Sequence, residues 1–205
     1  MRIVASVLAA VVAFLPHVPA VAQTPAPPAA YVAGQSGWSS DTAGTGLVTL
    51  RTTLAPKAGL AQGERPGFLL VLCTASQDRI IFEPNPSGSV RTIEPSANGT
   101  AYIAPLPGPG QQDDGRRFVT GLKTFPSGSF EIADLATGER NVARALVAEL
   151  VRGATRFRFR LSGLPTESRF ERDRTLLIEF AVGKADKPVL EQFETSCKLL
   201  GFGRP

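Results

Sequence analysis

The chain has 205 residues, with 22 Lys and Arg against 18 Asp and Glu, and a formal net charge of +4 at pH 7. So mild a positive balance does not suggest a nucleic-acid partner. One His, two Cys and one Met narrow the chemistry further, because Ser-His-Asp, Cys-His and the usual zinc sites draw on His or several thiolates.

The N-terminus reads as a secretory signal peptide over residues 1–22. Arg2 supplies a positive charge, Ile3 to Leu15 is apolar, Pro16 and Pro19 follow, and Ala20 and Ala22 are the small residues before the cleavage point. The apolar run is too short to span a bilayer, which takes about 20 residues, so no transmembrane span is expected in the mature chain. No Cys stands at the cleavage site to carry a lipid. Cleavage after Ala22 removes His17 and Met1, the sole residues of their types. Arg2 is the one charged residue lost, so +4 becomes +3. An oxidising, periplasmic or secreted location follows, and there Cys73 and Cys197 are expected to form a disulfide.

Residues 23–37 read as a tether. TPAPPAA, Thr24 to Ala30, is extended and has no apolar face to bury. One domain is expected over 38–205, and a domain of that size buries about 70% of the surface its unfolded chain exposes.

Its first part is strand-like. Val48, Leu50 and Leu54 alternate with Thr49, Arg51 and Thr53, the period of a half-buried strand. Phe68 to Cys73 is continuously apolar and predicts a strand covered on both faces. Arg79 to Glu83, after Ser76-Gln77-Asp78, predicts the second arm of a hairpin. Ser89 to Ile93 and Thr100 to Ile103 flank Asn98-Gly99, a strong two-residue hairpin signal. Phe118 to Phe125 and Phe130 to Leu135 predict another pair, joined at Pro126-Ser127-Gly128. Two loops, Ala55 to Gly67 and Pro105 to Gly115, are rich in Gly and Pro.

The last third changes character. In Asn141 to Arg152 the apolar residues Val142, Leu146 and Leu150 recur at four-residue spacing, which predicts an amphipathic helix ended by Gly153. TRFRFRL, Thr155 to Leu161, is a strict period-two strand, and Thr175 to Val182 a second. Asp186 can cap a final helix, with Pro188 in its first turn, Leu190, Phe193, Cys197 and Leu200 on one face, and Gly201 at its end. The fold class is therefore α+β: a mostly antiparallel β-sheet or sandwich with two helices in the C-terminal third.

Alternation places Arg156, Arg158 and Arg160 on one face of their strand, about 6.5–7 Å apart. They form either an anion-binding ladder, since Arg grips phosphate or carboxylate with two hydrogen bonds, or a solvated outer face whose stems cover the sheet. Arg169, Arg172 and Arg174 are interspersed with Glu167, Glu171 and Asp173, a charge-mixed loop. Asp113 and Asp114 could contribute to a Ca²⁺ site, but the regular oxygen offsets of such a loop are missing, which favours a polar turn. Trp38 reads either as an exposed recognition residue or as packing at the core edge. The loops holding Glu64 to Gly67 and Pro105 to Gly110 read as a recognition surface or as plain connections. Of the carboxylates Asp134, Glu139, Glu149, Glu179, Glu191 and Glu194, no spacing singles out a catalytic pair. No phosphate loop or dinucleotide fingerprint is present in the sequence.

An apolar strand ending in Cys73, a helix running into an alternating strand over Asn141 to Leu161, and a strand leading to a helix that holds Cys197 resemble small exported proteobacterial proteins similar to the VasI accessory proteins of type VI secretion. Leu146 to Leu161, in a sheet-rich exported domain, also resembles invasion-associated locus B proteins, which usually carry more cysteines. Both resemblances imply a non-enzymatic envelope protein with no catalytic residues to carry over. The expectation is an exported binding or accessory protein of the bacterial envelope, not an enzyme, without cofactor or metal. Its partner would be an envelope protein or an anionic envelope component. The alternative is a cell-wall glycan hydrolase working through paired carboxylates.

Overall fold

The computed structural model describes residues 31–43, 46–84, 97–125, 129–133, 142–163 and 175–201. The signal segment, the tether as far as residue 30, the strand expected at Ser89 to Ile93, Asp134, Glu139 and the loop holding Arg169, Arg172 and Arg174 lie outside them.

In chain order the strands are β1 (Tyr31–Ala43), β2 (Leu47–Pro56), β3 (Gly67–Thr74), β4 (Asp78–Glu83), β5 (Ala97–Pro105), β6 (Phe118–Thr124) and β7 (Phe130–Ala133). Helix α1 (Val142–Val151), β8 (Arg156–Ser162), β9 (Thr175–Phe180) and α2 (Lys187–Gly201) complete the domain. The strands form a closed barrel in the order β1-β2-β3-β4-β7-β6-β5-β8-β9. Neighbours are antiparallel except at the seam, where β1 runs parallel to β9 with Tyr31 opposite Ile178 and Ala33 opposite Phe180.

The expectation of an open sheet or sandwich is thereby corrected: the domain is a nine-stranded barrel with two helices. Alternation tells which face of a strand is buried, and barrel and sandwich share that pattern. Closure depends on β1, whose first half occupies residues 31–37, read from sequence as the end of the tether. The hairpins β3–β4 and β6–β7 form as expected.

Two local expectations are also corrected. β3 alternates strictly, with Leu69, Val71 and Cys73 inside and Phe68, Leu70 and Leu72 half-buried outside, so it is covered fully on one face only. Asn98-Gly99 makes no turn; both residues lie within β5, opposite Lys123 and Leu122 of β6. Glycine is required there for a different reason. A Cβ at Gly99 would overlap the Ser162 carbonyl oxygen, so β5 and β8 can approach only because none is present.

The barrel interior is filled by side chains. Phe82 stacks on Phe130 with centroids 4.4 Å apart, and Phe159 meets Phe82 edge-on at 5.3 Å. Full burial of each such ring contributes about 1.5–3 kcal/mol. The same core continues into the helices. Val142, Leu146 and Leu150 of α1 join Leu190, Phe193 and Cys197 of α2 in it. α1 packs on α2, β3, β4 and β6, and α2 on β1, β2 and β3. Gly153, with φ +102°, ends α1 as expected. The Asp186 carbonyl accepts the first bond of α2 from the Leu190 N–H at 3.0 Å. Its carboxylate turns elsewhere, accepting from the backbone N–H of Trp38 at 3.1 Å and of Gly183 at 2.7 Å.

Cys73 and Cys197 form the expected disulfide, with Cα atoms 5.6 Å apart and both residues fully buried. It ties α2 to the end of β3. Among the described residues no helix is long and apolar enough to cross a membrane.

Candidate anion-binding site

β8 places the arginines as its alternation dictates. Phe157, Phe159 and Leu161 fill the barrel, and Arg156, Arg158 and Arg160 stand on the outer wall, the last two exposed. Cross-strand neighbours define their setting. Arg160 lies between Tyr102 of β5 and Thr175 of β9, Arg158 between Ala104 and Leu177, and Arg156 opposite Glu179. Glu179 is engaged by Lys57 at 2.8 Å. No carboxylate among the described residues pairs with the three ladder guanidiniums. Tyr102 and its neighbour on β6, Val119, are exposed large side chains in the same row.

At Arg156 the ladder meets a cleft of about 640 Å³. One wall is the loop 106–117, the other the end of α1 and residues 153–155. The loop extends the β5–β8 pairing by one bond, from the Leu106 N–H to the Arg156 carbonyl at 2.8 Å. Pro105, Pro107 and Pro109 limit its freedom, and a turn closes at Gln111, whose side-chain oxygen accepts from the Gly108 N–H at 3.1 Å. Asp113 and Asp114 then form consecutive Asx turns, accepting from the backbone N–H of Gly115 at 2.9 Å and of Arg116 at 3.1 Å. Here the polar-turn reading of these aspartates stands.

Their carboxylates also hold the next two side chains. Arg117 donates to Asp113 at 2.8 Å, and Arg116 pairs with Asp114. Arg116 reaches across the cleft to Glu149 of α1 at 2.5 Å, where Arg152 also pairs. Glu149 is only 2% exposed. Both guanidiniums converge on its Oε1, and Oε2 has no hydrogen-bond partner among the described residues. This acid, one of the carboxylates that no spacing singled out, is the anchor that fastens the loop to α1.

The bond from Arg117, then that from the Gly115 N–H, holds the Asp113 carboxyl down at about 2, with Arg158 adding to the effect. Arg158 therefore lies within electrostatic reach of the loop. Hydrogen bonds from the Arg116 side chain and then its backbone N–H lower Asp114 in the same way. The reciprocal bonds from Asp114 and Asp113 raise Arg116 and Arg117. Around the cleft, Arg116, Arg117, Arg152, Arg156 and Arg158 outnumber Asp113, Asp114 and Glu149. Arg116 and Arg117 are committed to internal bonds, and the ladder arginines remain available to an outside anion.

The other sequence candidates are dispersed. Glu191 is exposed on α2, and Glu194 pairs with Lys198 at 2.6 Å. Trp38 is buried at the core edge. Its indole N–H donates to the Ala181 carbonyl at 2.8 Å, and its ring stacks on Phe180 with centroids 6.1 Å apart. The ladder was legible in sequence; the convergence of Arg116, Arg152 and Glu149 was not, because loop and helix residues distant in the chain create it. In comparison with known proteins, the chain matches no family model, no curated protein and no solved structure.

Proposed function

We propose that this is an exported, non-catalytic binding or accessory protein of the bacterial cell envelope that recognises an anionic group. The observation that carries the reading is the row Arg156, Arg158 and Arg160, three guanidiniums without carboxylate partners among the described residues, on a barrel strand that runs into a cleft. The strand fixes the spacing of their Cα atoms before the ligand arrives, so the backbone needs no ordering on binding. Each fork can grip a phosphate or carboxylate through two hydrogen bonds. An acidic envelope protein or an anionic envelope component meets that demand. The signal segment and the pattern resembling secretion-accessory proteins support the location and a secretion-associated role.

The hydrolase alternative requires one carboxyl that keeps its proton near neutrality. Asp113 and Asp114, which flank the cleft, are held the other way.

The test is capture from native envelope after mild crosslinking, comparing the tagged protein with its R156Q/R158Q/R160Q form. Loss of the captured component in the variant, together with weakening as salt screens the charges, supports the reading. Equal capture by both forms overturns it. Turnover of a wall glycan by the purified protein, abolished by one carboxylate substitution, would put the hydrolase in its place.

A further inference from the structure

A second cleft, of about 670 Å³, opens on the other side of the seam, where β1 bulges beside β2. The β1–β2 register shifts between Ala33 and Trp38, and Gly34 and Gly37 take φ of +92° and +89°. Such bulges re-aim side chains and often border sites. Here the bulge is pinned on every side. The Trp38 indole holds the Ala181 carbonyl, Asp186 holds the Trp38 N–H, Thr52 Oγ1 donates to the Gly37 carbonyl at 2.6 Å, and the Ser36 and Thr53 hydroxyls meet at 2.8 Å. The cleft is therefore formed before any ligand binds.

Its lining combines two kinds of group. Arg51 and Arg65 are charged, no carboxylate lines the cleft with them, and among the described residues neither has an ion-pair partner. The Arg51 guanidinium lies 5.2 Å from the centre of the Phe68 ring, a contact that leaves its N–H donors unused. Around them stand the hydroxyls of Ser36, Ser39 and Thr53, while the buried Thr52 turns its hydroxyl to Gly37. Guanidinium forks match phosphate or carboxylate, a set of hydroxyls matches the hydroxyls of a sugar, and the volume suits a small molecule.

We infer that this cleft binds an anionic saccharide, a sugar bearing a phosphate or a carboxylate, with Arg51 and Arg65 on the charged group and the Ser and Thr hydroxyls on the ring. The site is independent of the β8 ladder and stands whether or not the ladder binds a partner.

Trp38 lines the cleft, but its ring is buried against Phe180, so binding is read by isothermal titration calorimetry. The mature protein is titrated with glucose 6-phosphate, with glucuronate and with glucose. A saturable change in heat with at least one anionic sugar, tighter than with glucose, is expected, and the tighter of the two identifies phosphate or carboxylate as the recognised group. R51Q/R65Q should weaken that affinity at least ~10-fold, as expected when charge-assisted hydrogen bonds are lost. Both side chains are exposed, so the variant should fold, and an unchanged circular dichroism spectrum checks this. Arg51→Lys, which keeps the charge but loses the fork, should fall between the two. R156Q/R158Q/R160Q should bind as the wild type does, which separates this inference from the proposed function. No saturable change with either anionic sugar, equal affinity in R51Q/R65Q, or glucose binding as tightly overturns the inference.

Discussion

Breaking the Cys73–Cys197 cross-link tests the architecture most severely. The bridge joins residues 124 apart in sequence. On the chain-entropy relation, constraining a loop of that length removes about 16 cal/mol/K from the unfolded chain, or about 5 kcal/mol at room temperature. That is a large share of the ~5–15 kcal/mol by which single domains are stable. Both cysteines are fully buried, so a reductant reaches them only when α2 lifts from β3. The protein should therefore be reduced in denaturant, refolded under reducing conditions, and unfolded again in urea alongside the oxidised form. Reduction leaves both sulfurs in place, which isolates the cross-link from the cavity that C73A/C197A would also create. Trp38 fluorescence and far-UV circular dichroism then follow unfolding of the seam and of the whole fold. A loss of about 3–5 kcal/mol is expected, with a steeper denaturant dependence because the unlinked chain exposes more surface. In melting temperature this is about 6–20 °C for a domain of this size. A loss below ~1 kcal/mol would refute the reasoning and show that packing around Leu190 and Phe193 alone holds α2.

Two further predictions concern the loop and the β5–β8 pairing. Gly99→Ala places a Cβ against the Ser162 carbonyl and should destabilise by about 2 kcal/mol or more, as backbone displacement at a close approach does; urea unfolding and amide exchange along β5 and β8 check it. Asp113 should titrate near 2 by NMR, and Arg117→Gln should return it toward its ordinary 3.8. Because the folded carboxyl is the stronger acid, the stabilisation from its pairing is present above about pH 4 and is lost as pH falls through about 2. Arg117→Gln should accordingly flatten stability against pH in that window.

Strands and helices with strong periodicity were readable. TRFRFRL became β8 with its arginines outside, the four-residue stripe through Val142, Leu146 and Leu150 became α1, and the two cysteines met. β1 escaped because Gly34, Gly37 and three serines interrupt any alternation, and its bulge is held by Ala181 and Asp186, which come far later in the chain. Asn98-Gly99 misled because two chemistries favour glycine, a turn and a close approach, and only the neighbouring strand distinguishes them. Closure of the barrel rests on the register of Tyr31 with Ile178, which no local pattern encodes. The ladder was legible as a candidate because its geometry is that of a single strand. Each cleft was legible only in its loop, Pro105 to Gly110 in one and Glu64 to Gly67 in the other, since the first also joins Arg116 to Glu149 and the second joins the β1 bulge to Arg51 and Arg65.

The parallel seam also sets an order of events in folding. Among the described residues β1 is the first strand made, yet one of its two edges waits for β9, the last. Until β9 arrives, β2 alone covers β1, and the other edge offers unpaired amides and carbonyls to any stray chain. Contacts so distant in sequence form slowly. An incomplete chain thus cannot close, and the partly made molecule is most exposed to aggregation while its first strand still waits for its last.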